Sequence, residues 1–136
     1  MKPRINHIGV AVPSISAYIA ETEVLLGSLE RGPLITNERQ QVREMFLNDG
    51  STVFELLEPI GDKSPLSSFL RRNPKGGLIH FAVDVDALEP TLDLLERVGG
   101  RVLVAPVPDV AFEQRRIAFV LLAGQVVELI ERAEKA

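Results

Sequence analysis

His7 and Glu55 lie 48 residues apart in this chain, and His80 and Glu128 lie 48 apart again. These are the only two histidines among 136 residues, and there is no cysteine. Thiol nucleophiles, disulfides and thiolate metal sites are therefore excluded, and a metal here must be held by His, Asp, Glu or neutral oxygens. Each glutamate interrupts an apolar run, Val53-Phe54-Glu55-Leu56-Leu57 and Val126-Val127-Glu128-Leu129-Ile130. A carboxylate buried on such a strand is costly unless it is paired or bound to a cation. Two imidazoles and two carboxylates converging on one point would suit a single divalent ion, Co, Ni, Mn, Zn or Fe, with positions left for water or substrate. Taken singly, each His reads as a core residue and each Glu as a solvated one. Repetition at equal spacing favours the metal reading, because duplicated scaffold positions otherwise keep apolar side chains.

The spacing belongs to a wider repeat. Residues 7–58 laid on 80–131 without a gap match at thirteen of 52 positions, where chance gives about three. The matches include Val10 with Val83, Gly27 with Gly100, Pro33 with Pro106, Arg43 with Arg116 and Phe46 with Phe119. Glu44 breaks the symmetry, since its counterpart is Ile117. Glu58 and Glu131 also repeat, and their place just past apolar runs predicts solvated carboxylates.

The elements that must position these residues follow the same grammar twice. Each module opens with a strand, His7–Val12 or His80–Val85, in which alternation sets His7, Gly9 and Ala11 on one face and Ile8, Val10 and Val12 on the other. A helix follows, from about Ser14 to Gly27 with Ile15, Tyr18, Ile19, Thr22, Leu25 and Leu26 at helical spacing, and from near Pro90 to Gly99-Gly100 in the second module. Three extended segments complete each module, at 29–35, 40–47 and 52–58, then 102–107, 114–121 and 125–131. The fold class is therefore α+β, two tandem βαβββ modules in one domain over 1–136, divided as 5–60, a linker at 61–77, and 78–132. In the linker, Ser64 as N-cap and Pro65 at the first helical position predict a short helix.

Composition narrows the function. A net charge of −4 with scattered basic residues argues against nucleic acid. No apolar run reaches membrane-spanning length, and Met1-Lys2-Pro3-Arg4 lacks the apolar stretch of an export signal, so a cytoplasmic location without membrane partners is expected.

Taken together, His7-Ile-Gly-Val-Ala-Val-Pro13, Phe54-Glu55-Leu-Leu-Glu-Pro59, Ser64-Pro-Leu-x-x-Phe-Leu70, Ile79-His80-Phe-Ala-Val83 and Val127-Glu128-Leu129 cover nearly the whole chain. They resemble the vicinal-oxygen-chelate superfamily of glyoxalase I, extradiol dioxygenases, bleomycin-resistance proteins and methylmalonyl-CoA epimerase, and the epimerase branch most. The resemblance implies an open cup-shaped mixed sheet around one divalent ion held by His7, Glu55, His80 and Glu128. It also implies that Glu44 is a catalytic acid/base working opposite Glu128, itself both ligand and acid/base. A metal ion chelating the substrate would stabilise the enolate formed when the proton next to a carbonyl leaves.

The expected activity is thus a metal-dependent isomerase or epimerase on a small-molecule substrate, an acyl-CoA or other carbonyl compound, with a homodimer as the plausible assembly. The rivals are a glyoxalase I-like lactoylglutathione lyase and a metal-free drug-binding protein of the bleomycin-resistance type. Dioxygenase chemistry fits less well, because a second Glu occupies the iron-type ligand set. One departure bears on the substrate: Phe119 runs through a short turn straight to Glu128, where the epimerase has a longer loop. Arg43, Arg115 and Arg116 are read as surface residues, with contact to an anionic substrate as the alternative.

Overall fold

A computed structural model describes residues 2–133; Met1, with which the expected leaderless start opens, and residues 134–136 lie outside the described part. The chain divides into two compact units, His7–Ile79 and a second made of 2–6 together with 80–133. Within the described residues no helix is long and apolar enough to cross a membrane.

In the first unit, β1 (Arg4–Ala11) leads into α1 (Ile15–Leu26), followed by β2 (Glu30–Arg31), β3 (Ile35–Asn37), β4 (Val42–Asn48), β5 (Val53–Pro59) and α2 (Leu66–Arg72). Strand β1 runs parallel to β5, β5 antiparallel to β4, and both β2 and β3 pair antiparallel with β4. The segment expected to be one strand at 29–35 is thus two short ones. Gly32-Pro33 separates them, since proline has no N–H to give a ladder. Helix α1 begins where Ser14 accepts the N–H of Ala17. Val10, Val12, Leu47 and Leu56 pack under its Ile15, Tyr18 and Ile19, as the strand alternation predicts. Leu25, expected on the same helical face, is exposed.

On the other face of this sheet, Ala11, Val42 and Leu57 meet Leu66, Phe69 and Leu70, so the linker helix α2 is packed onto the first unit. Its first residue is Leu66, with Ser64 Oγ accepting the Leu66 N–H at 3.3 Å, one residue later than the sequence suggests. Gly76 has φ +89°, and a Cβ there would lie 2.2 Å from the Ala11 carbonyl oxygen. Only glycine allows the chain to cross β1 so closely.

The second unit contains β6 (Gly77–Val85), α3 (Leu88–Arg97), β7 (Arg101–Pro108), a 3-10 turn at Val110–Phe112, β8 (Arg116–Leu122) and β9 (Gln125–Glu131). Its strands run in the order β6-β9-β8-β7, with β6 parallel to β9 and the other pairs antiparallel. Val85, Ala118, Val120, Val127 and Leu129 form its core with Leu88 and Leu92 of α3. This helix starts two residues before Pro90. Strands β8 and β9 are joined by Ala123-Gly124 alone, with φ +50° and +77°, a two-residue hairpin of the primed kind. The α+β class and the doubled βαβββ order are those expected, and each unit's sheet mixes parallel and antiparallel pairs.

Candidate functional site

The pleat of each unit's sheet sorts its charged residues onto two faces. In the first unit, Phe54 and Leu56 lie under α1, so Glu55 between them points to the opposite face. His7 lies on that face too, and its Nε2 is 3.3 Å from Glu55 Oε1. Glu55 stands between Gly9 on β1 and Phe46 on β4 in the pairing register. The Phe46 ring meets the imidazole edge-on at 5.6 Å between centroids.

The second unit repeats this arrangement residue for residue. His80 Nε2 lies 3.5 Å from Glu128 Oε1. Glu128 stands between Ala82 and Phe119 in the register, and Phe119 meets His80 edge-on at 5.7 Å. All four side chains are buried, His7 at 1%, Glu55 and Glu128 at 2% and His80 at 7% exposure. Each unit therefore carries one buried imidazole–carboxylate pair, and in each the His and Glu expected to act together are adjacent.

Glu44 shares the Phe46 face of β4 and is 2% exposed. It does not face solvent, and its Oε1 accepts a hydrogen bond from Asn37 Nδ2 at 3.2 Å. A donated N–H stabilises the ionised carboxyl more than the neutral one. Asn37 was not foreseen from sequence, although an Asn at a strand end three residues before Gln40 is the signature of a side chain closing a turn onto the backbone.

Arg43, Arg116 and the outer glutamates occupy the helix face. Glu58 is three residues from Glu55, so alternation turns it the other way, and its Oε1 accepts the N–H of Ile15 at 2.8 Å. Arg43 completes the set through Glu58 Oε2 at 3.2 Å. In the second unit Glu131 Oε2 accepts the N–H of Leu88 at 3.0 Å, and Arg116 bonds to both Glu131 and Glu89. The expectation that Glu58 and Glu131 are merely solvated is corrected: each caps a helix whose first N–H groups lack intrahelical partners. Arg115 lies over the Phe112 ring at 5.8 Å. The Arg116 hydrogen bond chiefly, with help from Leu88, holds the Glu131 carboxyl below the usual range.

A family model described as the Glyoxalase/Bleomycin resistance protein/Dioxygenase superfamily matches residues 6–119. The chain belongs to that superfamily. Within it, the chain resembles the methylmalonyl-CoA epimerases. An ethylmalonyl-CoA/methylmalonyl-CoA epimerase from Cereibacter sphaeroides is 33% identical over 116 residues, covering 85% of this chain and 86% of the relative. The crystal structure of methylmalonyl-CoA epimerase from Mycobacterium tuberculosis superposes with a TM-score of 0.80 at 26% identity, over 96% of this chain and 88% of that one. A variant of the Streptomyces coelicolor methylmalonyl-CoA epimerase in complex with 2-nitronate-propionyl-CoA gives a TM-score of 0.79 at 28% identity, over 96% and 98%.

Proposed function

We propose that this superfamily member is an epimerase that inverts the carbon between a thioester carbonyl and a carboxylate, with methylmalonyl-CoA as the substrate type. The observation that carries the reading is Glu44, a buried carboxylate on the His7–Glu55 face that the second repeat replaces with Ile117. A duplicated scaffold needs no acid at this place, whereas proton abstraction does. The epimerase relatives support the same reaction class.

The reading assigns His7, Glu55, His80 and Glu128 to one divalent ion. The donors fit such an ion by their chemistry. Each unit offers an imidazole nitrogen and a carboxylate oxygen directed at one another within 3.3 to 3.5 Å. Neutral imidazole and ionised carboxylate are the ligating forms, and both bind first-row divalent metals. When bound, the ion supplies a Lewis acid for the carbonyl oxygen, on which negative charge grows as the neighbouring proton leaves.

Glu44 takes the proton from one face of the substrate carbon, and its Asn37 donor favours the ionised form that can accept it. Inversion requires a second acid to return a proton on the other face, and this role falls to Glu128 in its protonated form; it is left ionised as Glu44 becomes protonated, and both carboxyls exchange protons with solvent before the next turnover. One proton leaves and one arrives, so the product differs from the substrate only in configuration. His7 and His80 are held in orientation by the Phe46 and Phe119 rings packed against them.

The test is deuterium uptake at the 2-position of methylmalonyl-CoA in deuterium oxide, with metal-loaded protein. Uptake is expected, and Glu44→Gln should reduce it by about 10²- to 10⁴-fold while the ion is retained. Full activity in Glu44→Gln would refute the role of Glu44. Absence of uptake by the wild-type protein would refute the substrate assignment.

A further inference from the structure

Asn37 ends β3 and stands opposite Val42 across the hairpin that leads to Glu44. It is 3% exposed, and both ends of its amide are engaged. Its Oδ1 accepts the backbone N–H of Gln40 at 3.1 Å, which closes the loop, while Nδ2 donates to Glu44 Oε1 at 3.2 Å. A backbone N–H can only donate, so the loop dictates which end of the amide is oxygen. The donor end is thereby fixed on Glu44.

The second unit shows what the loop alone requires. Pro108 pairs with Arg116, and the Asp109 N–H donates to the Arg115 carbonyl, so Asp109 stands opposite Arg115 as Asn37 does opposite Val42. Arg115 is the repeat counterpart of Val42. Asp109 is also buried, and its Oδ1 accepts the Ala111 N–H at 2.8 Å. A carboxylate oxygen thus satisfies the turn where the β8 residue in Glu44's place is the apolar Ile117. Next to Glu44 a second carboxylate would bring like charge into a buried place. An amide keeps the oxygen for the loop and adds a donor for the acid.

We infer that Asn37 is the positioning residue of Glu44: it fixes the rotation of that carboxylate and favours its proton-accepting form. The inference deepens the functional reading above and rests on Glu44 exchanging the substrate proton. Asn37→Asp is the discriminating variant, because it keeps the loop acceptor, as Asp109 does, and replaces the donor with a charge. Deuterium uptake from methylmalonyl-CoA should then fall about ten-fold or more in kcat, with KM changed less than about two-fold. Asp109→Asn, the mirror substitution, should leave both constants unchanged.

A second readout needs no activity. Asn37→Asp should lower the denaturant midpoint in the wild-type background, and lower it much less when Glu44→Gln removes the opposing charge. If Glu44→Gln abolishes uptake while Asn37→Asp keeps the wild-type kcat and is equally stable in both backgrounds, the inference about Asn37 fails alone. If Glu44→Gln keeps full uptake, the functional reading fails, whatever the stability coupling reports about the pair.

Discussion

Removing the Glu131 side chain should cost the second unit a defined amount of stability, and more than removing Glu58 costs the first. The two residues hold equivalent places, each accepting the first N–H of a helix from the end of a strand. The helices differ in their other caps. Ser14 already accepts the Ala17 N–H of α1, whereas Ala87, which precedes α3, has no side-chain acceptor to offer. Loss of a side-chain cap costs about 0.5 to 2 kcal/mol. Glu131→Ala belongs in the upper part of that range and Glu58→Ala in the lower. The ion pairs with Arg116 and Arg43 add little, since both guanidinium groups remain well exposed. At about 3 °C per kcal/mol for a chain of this size, Glu131→Ala should melt about 3 to 6 °C below wild type and Glu58→Ala about 2 °C below. The Glu131 carboxyl titrates below its ordinary range when folded, so its stabilisation is complete above that range and is lost as pH falls through the depressed folded value. Thermal unfolding followed by circular dichroism should therefore show the gap to Glu131→Ala at neutral pH and its narrowing in acid. A Glu131→Ala protein melting within about 1 °C of wild type at neutral pH would refute the capping argument.

Elemental mass spectrometry of protein purified without chelator should find about one transition-metal ion per chain, lost in His80→Ala and in Glu55→Ala; metal retained in both variants would overturn the ligand assignment. Gly76→Ala forces a Cβ against the Ala11 carbonyl at a positive φ, and the loss should exceed about 3 kcal/mol, visible as a collapsed denaturant midpoint or insoluble expression. Ala123→Gly relieves a left-handed residue in the β8–β9 hairpin and should raise the midpoint by the equivalent of about 0.5 to 1 kcal/mol.

Strand parity made most of the site legible before any coordinates. The equal spacing of His7–Glu55 and His80–Glu128 identified the pairs, and alternation set them opposite the helix-facing Val10, Val12 and Leu56. The same parity, applied three residues on, would have turned Glu58 and Glu131 toward the helix ends, but sequence alone does not show that a helix N-terminus waits there. Asn37 escaped because its role depends on a hairpin loop, with Gln41 at φ +56°, that bends the backbone back onto it. The ungapped repeat also hid a slip. Bulges in β7 shift its register, so the place of Asn37 belongs to Asp109 and not to Val110, its partner by simple alignment. Splitting of the 29–35 segment was carried by Gly32-Pro33, a signal present but outweighed by the apolar pattern around it.

The division of the chain at His7 sets an order of events during synthesis. His7–Ile79 is continuous, and its two apolar clusters draw only on residues between Val10 and Ile79. That unit can close while the ribosome is still making the rest. The other unit is discontinuous: residues 2–6 join 80–133, through Asn6 Nδ2 to Asp84 Oδ1 at 3.1 Å and through Arg132 to the Lys2 carbonyl. Its opening segment is translated first and must stay unclaimed until Arg132 has left the tunnel. Loss of residues 2–6 would thus be felt at Asp84 and Arg132.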